Sequence, residues 1–585
     1  MESVHDNKNA VPGLKRLWEK DSARFIVFFS AVTAILCSPI ILHIQGHLGG
    51  PPMGDKGTNL WNLWWVYYAL FERHVSPLRC DMIFIPWGCD LRVHTLSIAN
   101  GLIAAPITAF FGANVSYNLL FFFWTLWTGV FASLWARRFG LGMAASAFIG
   151  FLAAFNPYRW AHQPHLNLFS TAWLFLAFWQ CERMLESGQK RSLALFTLAW
   201  LLALFTDWYY GLFTGIYLFV RLISHGAEKK DRAAFFRILR IAAISGAAML
   251  AALLAYFYRP NAGAFQEIYI DPVGMKYSAY WSLDLLHLLL PAWLIYSLQL
   301  PLLNYGEFQL HPGLAIVLPS LFFIIADRPL WKNRPQRGAV LAMAAIFLFL
   351  SLGPVFKFKG EIVMPKGMPI FSPTALFETI PFLTVIRVYA RFAYIGFLCL
   401  VLAGAIGWEK WKPALRSYSA PIYIVLGLFF LVETWWRPPQ LADYSFNPAI
   451  FNPNCKSILE LPFSPSNLSG MHLYHQTFHH KPIHVVEFSR LGKYKERYLA
   501  AYPALNFLNL AAMGEDLGPE DEKYLETRFC ADVRELGPAD IVFQSQPDKV
   551  RIEKTRLLLQ RIGDVCRELK IPLVIEPGER VSAPE

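Results

Sequence analysis

The chain has 585 residues, 55% of them hydrophobic and 16% aromatic, and a formal net charge of +11. Soluble domains are nearer ~45–50% apolar and ~25% charged; here only 16% of residues are charged, which excludes an ordinary soluble enzyme and indicates an α-helical polytopic membrane protein. In a soluble chain the surplus of +11 would argue for an anionic partner, but here the basic residues fall in short loops between apolar runs, where they set orientation, and nucleic acid is not expected.

Residues 1–23 are polar and basic and are expected in the cytoplasm. Residues 24–44 form the first span, long enough for ~30 Å of hydrocarbon. No small-residue cleavage pattern follows its basic flank, so it is expected to remain as an anchor. The first outer loop, residues 45–114, opens with Gly54-Asp55-Lys56-Gly57-Thr58-Asn59 and continues Leu60-Trp61-Asn62-Leu63-Trp64-Trp65-Val66-Tyr67-Tyr68. The aromatic run is expected along the lipid–water boundary, where a ring seeks hydrocarbon and its N–H or O–H seeks water. The glycines would let backbone approach a ligand, with Asp55 as the charge presented; a flexible acidic turn is the plainer alternative.

Residues 96–111, interrupted by Pro106, read as a re-entrant or interfacial helix, and residues 115–136 as the second span. Further spans are expected at 143–156, 166–182, 192–206, 208–223, 241–258, 311–326, 338–354, 390–408 and 420–436. Together they make about eleven transmembrane helices over residues 24–436. Every inner loop then carries Lys or Arg, as at Arg137-Arg138, Lys229-Lys230 and Arg334, which sets the N-terminus inside and the C-terminus outside. Residues 437–585 lose the long apolar runs and read as a C-terminal extracytoplasmic α/β domain, with strand-like stretches at 457–461, 484–486, 541–543 and 573–575 and a helical pattern at 549–569.

Of eight cysteines, Cys37, Cys181 and Cys399 fall in spans; Cys80 and Cys89 lie close together outside, where pairing is open. No CxxC or HExxH spacing, Walker loop or GxGxxG is present, which argues against a structural zinc site and an ATP-driven pump. Three outer clusters could carry chemistry. Asp55 shares its loop with Glu72, Asp81 and Asp90; Arg159, His162 and His165 follow the third span, with Asp207 in a later outer turn; Arg387 and Arg391 precede the tenth span. A spacing of four puts the two arginines on one face of a helix, a good fork for phosphate oxygens. Snorkelling to headgroups is the plain reading of the arginines, interfacial placement that of the histidines, and solvated loop charges that of Glu72-Arg73 and Asp90–Arg92.

An acid near paired arginines at a lipid boundary suits glycosyl transfer from a lipid-phosphate sugar, with the carboxylate as general base and the arginines stabilising the leaving phosphate. Four features carry a family resemblance: Gly54-Asp55 with the aromatic helix behind it; Trp135-Ala136-Arg137-Arg138-Phe139-Gly140; Phe155-Asn156-Pro157-Tyr158-Arg159; and Ile386-Arg387-Val388-Tyr389-Ala390-Arg391-Phe392. In this the chain resembles the GT-C superfamily of integral membrane glycosyltransferases, which includes protein O-mannosyltransferases and bacterial aminoarabinose transferases. It looks closest to a bacterial subgroup that also carries stretches like Pro86-Trp87-Gly88 and His94-Thr95-Leu96-Ser97. The resemblance covers roughly residues 20–436 and implies a polyprenyl-phosphate-linked sugar donor, an envelope glycan, lipid or protein as acceptor, Asp55 as the catalytic acid of the first loop, and the bacterial inner membrane as location. Some members use a divalent cation and others none; the paired acids of some members are missing here, since Lys56 follows Asp55. A lipid-linked-glycan transporter or assembly factor on the same scaffold, and a ligase or polymerase moving a whole glycan, are the alternatives. A transporter should carry polar groups at mid-membrane, and these spans place their charges at the outer rim.

Overall fold

The computed structural model of the chain describes residues 11–50, 54–229, 232–257, 275–302, 306–326, 335–380, 383, 386–411, 418–443, 456–463, 466–488, 491–513, 515, 517–536, 539–543 and 574–577. Helix α1 (Val11–Leu36) leads to strand β1 (His47–Gly49) and helix α2 (Asp55–Tyr67). A hairpin of β2 (Arg79–Cys80) and β3 (Cys89–Asp90) follows, then α3 (Ile98–Arg137), α4 (Met143–Ala154), α5 (Pro157–Ala161), α6 (Ala172–Ser187), α7 (Lys190–Thr206), α8 (Trp208–Lys229) and α9 (Arg232–Phe257). After residues 258–313 come α10 (Leu314–Ala326), α11 (Pro335–Ser351), the hairpin β4 (Lys357–Phe358) and β5 (Glu361–Ile362), α12 (Phe392–Trp411), α13 (Ser419–Glu433) and β6 (Leu441–Asp443).

Among the described residues, Ile98–Arg137, Leu239–Phe257 and Tyr389–Glu409 are long and apolar enough to cross a membrane; Leu314–Ala326, Gln336–Ser351 and Ala420–Glu433 are apolar but shorter. The other expected spans fall on helices that do not reach this measure. The expected interfacial helix and second span are two halves of one element, α3. Its break comes at Gly112 (φ 81°, ψ 171°), not at Pro106, which sits inside the helix; a backbone in that region is open to glycine and closed to most residues. Two ion pairs join helices of the bundle: Arg221 donates to Glu182 at 2.7 Å, and Arg137 ties α3 to α1 through Asp21 at 2.8 Å.

The aromatic helix α2 departs from its expected place along the lipid. Trp61, Leu63, Trp64, Trp65 and Val66 are all buried. Trp61 Nε1 donates to Gln476 Oε1 at 2.7 Å and Trp65 Nε1 to Pro77 O at 2.9 Å. The indole N–H groups find partners in protein, so they need no water boundary. The glycines also serve a different approach from the one expected. A Cβ on Gly57 would meet Gly470 O at 1.9 Å, and one on Gly470 would meet Gly54 O at 2.0 Å. They let two backbones touch, not a backbone and a ligand.

Gly470 belongs to α14 (Ser466–His479), which follows β7 (Ser457–Leu461); α15 (Gly492–Ala501), α16 (Pro503–Met513), α17 (Pro519–Leu536), β8 (Ala539–Phe543) and β9 (Val574–Pro577) complete the described C-terminal region. Its three strands form a parallel sheet in the order β7-β8-β9. The stretch 484–486 is not a strand; Ile483 beside it makes isolated bridges to Ile83 and Ile458. The helical pattern at 549–569 lies outside the described residues. This region is fastened to the first outer loop: β6 pairs with β1 in antiparallel register, Ile483 N donates to Met82 O at 2.9 Å, and Tyr498 OH donates to Ile85 O at 2.5 Å. Cys80 and Cys89 stand opposite each other in the β2–β3 register as buried free thiols.

Candidate active site

A cavity of about 460 Å³ opens where the N-terminus of α2, the turn after α5, the α7–α8 turn and the segment before α12 meet. Asp55, His162, His165, Asp207, Arg387 and Arg391 all line it. Four loops far apart in sequence therefore converge on one space.

Asp55 is the first residue of α2, behind Gly54 at φ 93°. A carboxylate in a first helical turn faces the positive end of the peptide dipoles. Asp55 Oδ2 lies 2.8 Å from His165 Nε2. That hydrogen bond, above all, holds the carboxyl below its ordinary range. Among the described residues Asp55 Oδ1 carries no hydrogen bond, and the side chain is exposed. Lys56 beside it is fully buried, and burial pushes its ammonium down to about 7.

Asn156 caps the N-terminus of α5: its side chain accepts from Tyr158 N at 3.0 Å and fixes the corner that leads into the turn after the helix. It delivers His162 and His165, their rings 5.3 Å apart and edge-on. His162 Nε2 lies 3.1 Å from Glu307 Oε2, and Arg391 donates to Glu307 Oε1 at 2.6 Å. Burial alone would raise the Glu307 carboxyl; the Arg391 guanidinium and then His162 hold it well below its usual range. His162, fully buried, is pushed down by desolvation against the pull of Glu307. Arg391 also stands 4.9 Å over the Tyr209 ring, within cation–π range.

Asp207 caps α8: its Oδ1 accepts from Tyr209 N at 2.9 Å and its Oδ2 from Asn167 at 2.7 Å. Tyr209 OH accepts from the backbone N–H groups of Arg387 at 3.0 Å and Val388 at 2.8 Å. The two arginines do not share a helical face as their spacing suggests. Residues 386–388 are irregular, Tyr389–Arg391 is a single 3-10 turn, and α12 begins at Phe392. They reach the cavity because Tyr209 and Glu307 hold this segment.

Arg159 is a correction. It is fully buried and absent from the cavity wall, donating to Phe169 O at 2.8 Å and Ala154 O at 2.7 Å with its guanidinium over the Phe169 ring. A guanidinium held by two carbonyls and the Thr125 hydroxyl braces the corner and does not reach the cavity wall. Asp90 and Arg92, read as solvated, form an ion pair at 2.6 Å, with Arg92 Nε on Tyr256 O at 2.8 Å, tying the first loop to α9.

Glu307 escapes sequence reasoning: it is one acid in a long outer loop, and its partners lie at positions 162 and 391. His94, which also lines the cavity, sits 2.9 Å from Asn62 Oδ1 and against the Phe488 ring. Asp55 Oδ2 is engaged by His165, and among the described residues no group of three or more His, Cys, Asp or Glu side chains is placed to hold a metal ion.

No family model and no curated protein matches the chain. Among solved structures it is similar to the Archaeoglobus fulgidus oligosaccharyltransferase in its apo form, at 9% identity over 80% of this chain and a TM-score of 0.45. The same enzyme in complex with Zn and sulfate matches at 12% identity over 79% of this chain and 62% of that one, with a TM-score of 0.43. ArnT from Cupriavidus metallidurans in the apo state matches at 14% identity over 86% of this chain and 94% of that one, with a TM-score of 0.36. The chain spans 64% of the apo oligosaccharyltransferase's length. Both proteins are GT-C glycosyltransferases. At these TM-scores the likeness is one of broad layout, and the chemistry rests on the cavity's own residues.

Proposed function

We propose that the chain is a glycosyltransferase of a bacterial inner membrane that moves a sugar from a polyprenyl-phosphate donor to an envelope acceptor on the outer face. The acceptor hydroxyl oxygen attacks the anomeric carbon, the bond to the phosphate oxygen breaks with inversion, and the hydroxyl proton passes to Asp55 Oδ1. His165 holds the carboxylate ionised and aligned from its other oxygen. Arg387, with Arg391 fixed behind it by Glu307, takes up the charge growing on the departing phosphate. One observation carries this reading: an exposed carboxylate and two guanidiniums, drawn from opposite ends of the chain, line the same cavity.

The test compares envelope glycans from cells carrying wild type and Asp55→Asn at matched protein levels. Loss of one defined sugar with build-up of its lipid donor is expected. An unchanged glycan profile overturns the reading and favours a transporter or assembly role on the same scaffold.

A further inference from the structure

The outer segment after α11 is folded, yet it displays a run of large apolar side chains. Phe358, Met364, Met368, Ile370, Phe371 and Leu376 are all exposed, Met368 to 69% and Leu376 to 63%. Their backbone is satisfied internally: β4 pairs with β5, Val363 N donates to Phe356 O at 2.9 Å, Ile370 N to Val363 O at 3.1 Å, and Phe356 N to Ile370 O at 3.2 Å. The flap is pinned at its base, where Lys357 Nζ donates to Tyr280 O at 3.1 Å and Gly360 N to Asp284 Oδ2 at 2.9 Å. Rigid apolar side chains on a satisfied backbone are what a poorly hydrated medium accepts and water does not.

We infer that the flap of residues 356–380 is an amphipathic element seated in the outer leaflet of the bilayer, its lysines on anionic headgroups. Two observations select lipid. The flap continues the apolar surface of α11, for Phe356 packs on Phe349, itself exposed, with ring centroids 6.2 Å apart. Exposed Lys359 and Lys366 alternate with the apolar residues, with Glu361 as the one exposed acid among them; this is the composition of segments that lie in a headgroup layer. The flap then sets the depth at which the chain runs on to Arg387. The inference rests on the reading of the chain as membrane-spanning, not on the reaction.

The experiment places p-benzoylphenylalanine at Met368 in the full chain, in nanodiscs of phosphatidylglycerol and phosphatidylcholine, and reads adducts by mass spectrometry after irradiation. Leu250, exposed on apolar α9, and Lys523, exposed on α17, are the controls. Lipid adducts at Met368 comparable to those at Leu250, with none at Lys523, are expected. The double variant Lys359→Glu and Lys366→Glu should abolish any preference of the Met368 adduct for phosphatidylglycerol. Adducts at Leu250 but none at Met368 overturn the inference, as does a Met368 cross-link to a second copy of the chain. No lipid adduct at either position sinks the membrane-spanning reading with it.

Discussion

Among the described residues, histidines meet carboxylates in two places, one on the wall of the cavity and one in the C-terminal region. In the cavity, Asp55 meets His165 and Glu307 meets His162 and Arg391; the two histidines come from one turn, and Asp55, Glu307 and Arg391 from three other segments. In the C-terminal region, Glu460 of β7 meets three histidines from successive turns of α14: His475 at 2.7 Å, and His472 and His479 at 3.9 Å each. The side chains of the second group are each at most 9% exposed. It fastens β7 to the helix whose Gly470 and Gln476 hold α2, so it supports Asp55 from behind. The same kinds of side chain form a buried staple in the C-terminal region and line open space in the cavity.

Breaking the two groups should separate these roles. Asp55→Asn is expected to slow transfer by about 10²- to 10⁴-fold, the usual contribution of a general base, while the melting temperature stays near wild type. Glu460→Ala should do the reverse. Removing one partner from a buried ionic cluster costs about 3–5 kcal/mol, so thermal unfolding moves down while the turnover of the molecules that still fold is largely kept. If Glu460→Ala abolishes turnover without loss of stability, the distinction drawn here is wrong.

Smaller effects sharpen the comparison. Arg387→Ala removes a charge-assisted contact worth about 1.5–3 kcal/mol and is expected to raise the KM for the lipid donor with the fold intact; a drop in expression alone would make Arg387 a structural anchor. Gly57→Ala should cost about 1–3 kcal/mol of stability by overpacking, since the new Cβ meets the backbone oxygen of Gly470, not a flexible side chain. The remaining effect is a pH dependence. Burial pushes His472 down to about 4, against an ordinary value of about 6.5. The unfolded chain binds the extra proton between those values, so stability is full above about pH 6.5 and is lost as pH falls towards 4. Melting curves at neutral and acid pH should show this slope, and His472→Gln should flatten it.

The apolar, helical character of the chain and three strands of the C-terminal region, near 457–461, 541–543 and 573–575, are legible in order and composition, because apolar runs and β-branched stretches report burial directly. Asp55 is singled out by the glycines and the aromatic helix around it, a pattern that a plain acidic turn shares. Three details are misread because short-range spacing cannot report a long-range partner. The four-residue step from Arg387 to Arg391 suggests a helix that Tyr209 and Glu307 replace with a pinned irregular segment. Arg159 lies two residues from the corner that carries it, yet three neighbouring groups turn it inward. The tryptophans of α2 look interfacial until α14 is laid across them.

Composition and the order of apolar runs alone determined that this chain is helical and membrane-seated, with its charged residues at the edges, since the cost of burying a charge in hydrocarbon is paid locally, residue by residue. Only the tertiary structure decided which charges meet: Asp55 with His165, Arg391 with Glu307, and Arg159 with carbonyls. Those pairings span stretches of chain whose separation carries no periodic signal, and the closeness of two backbones at Gly57 and Gly470 exists only once the C-terminal region has docked.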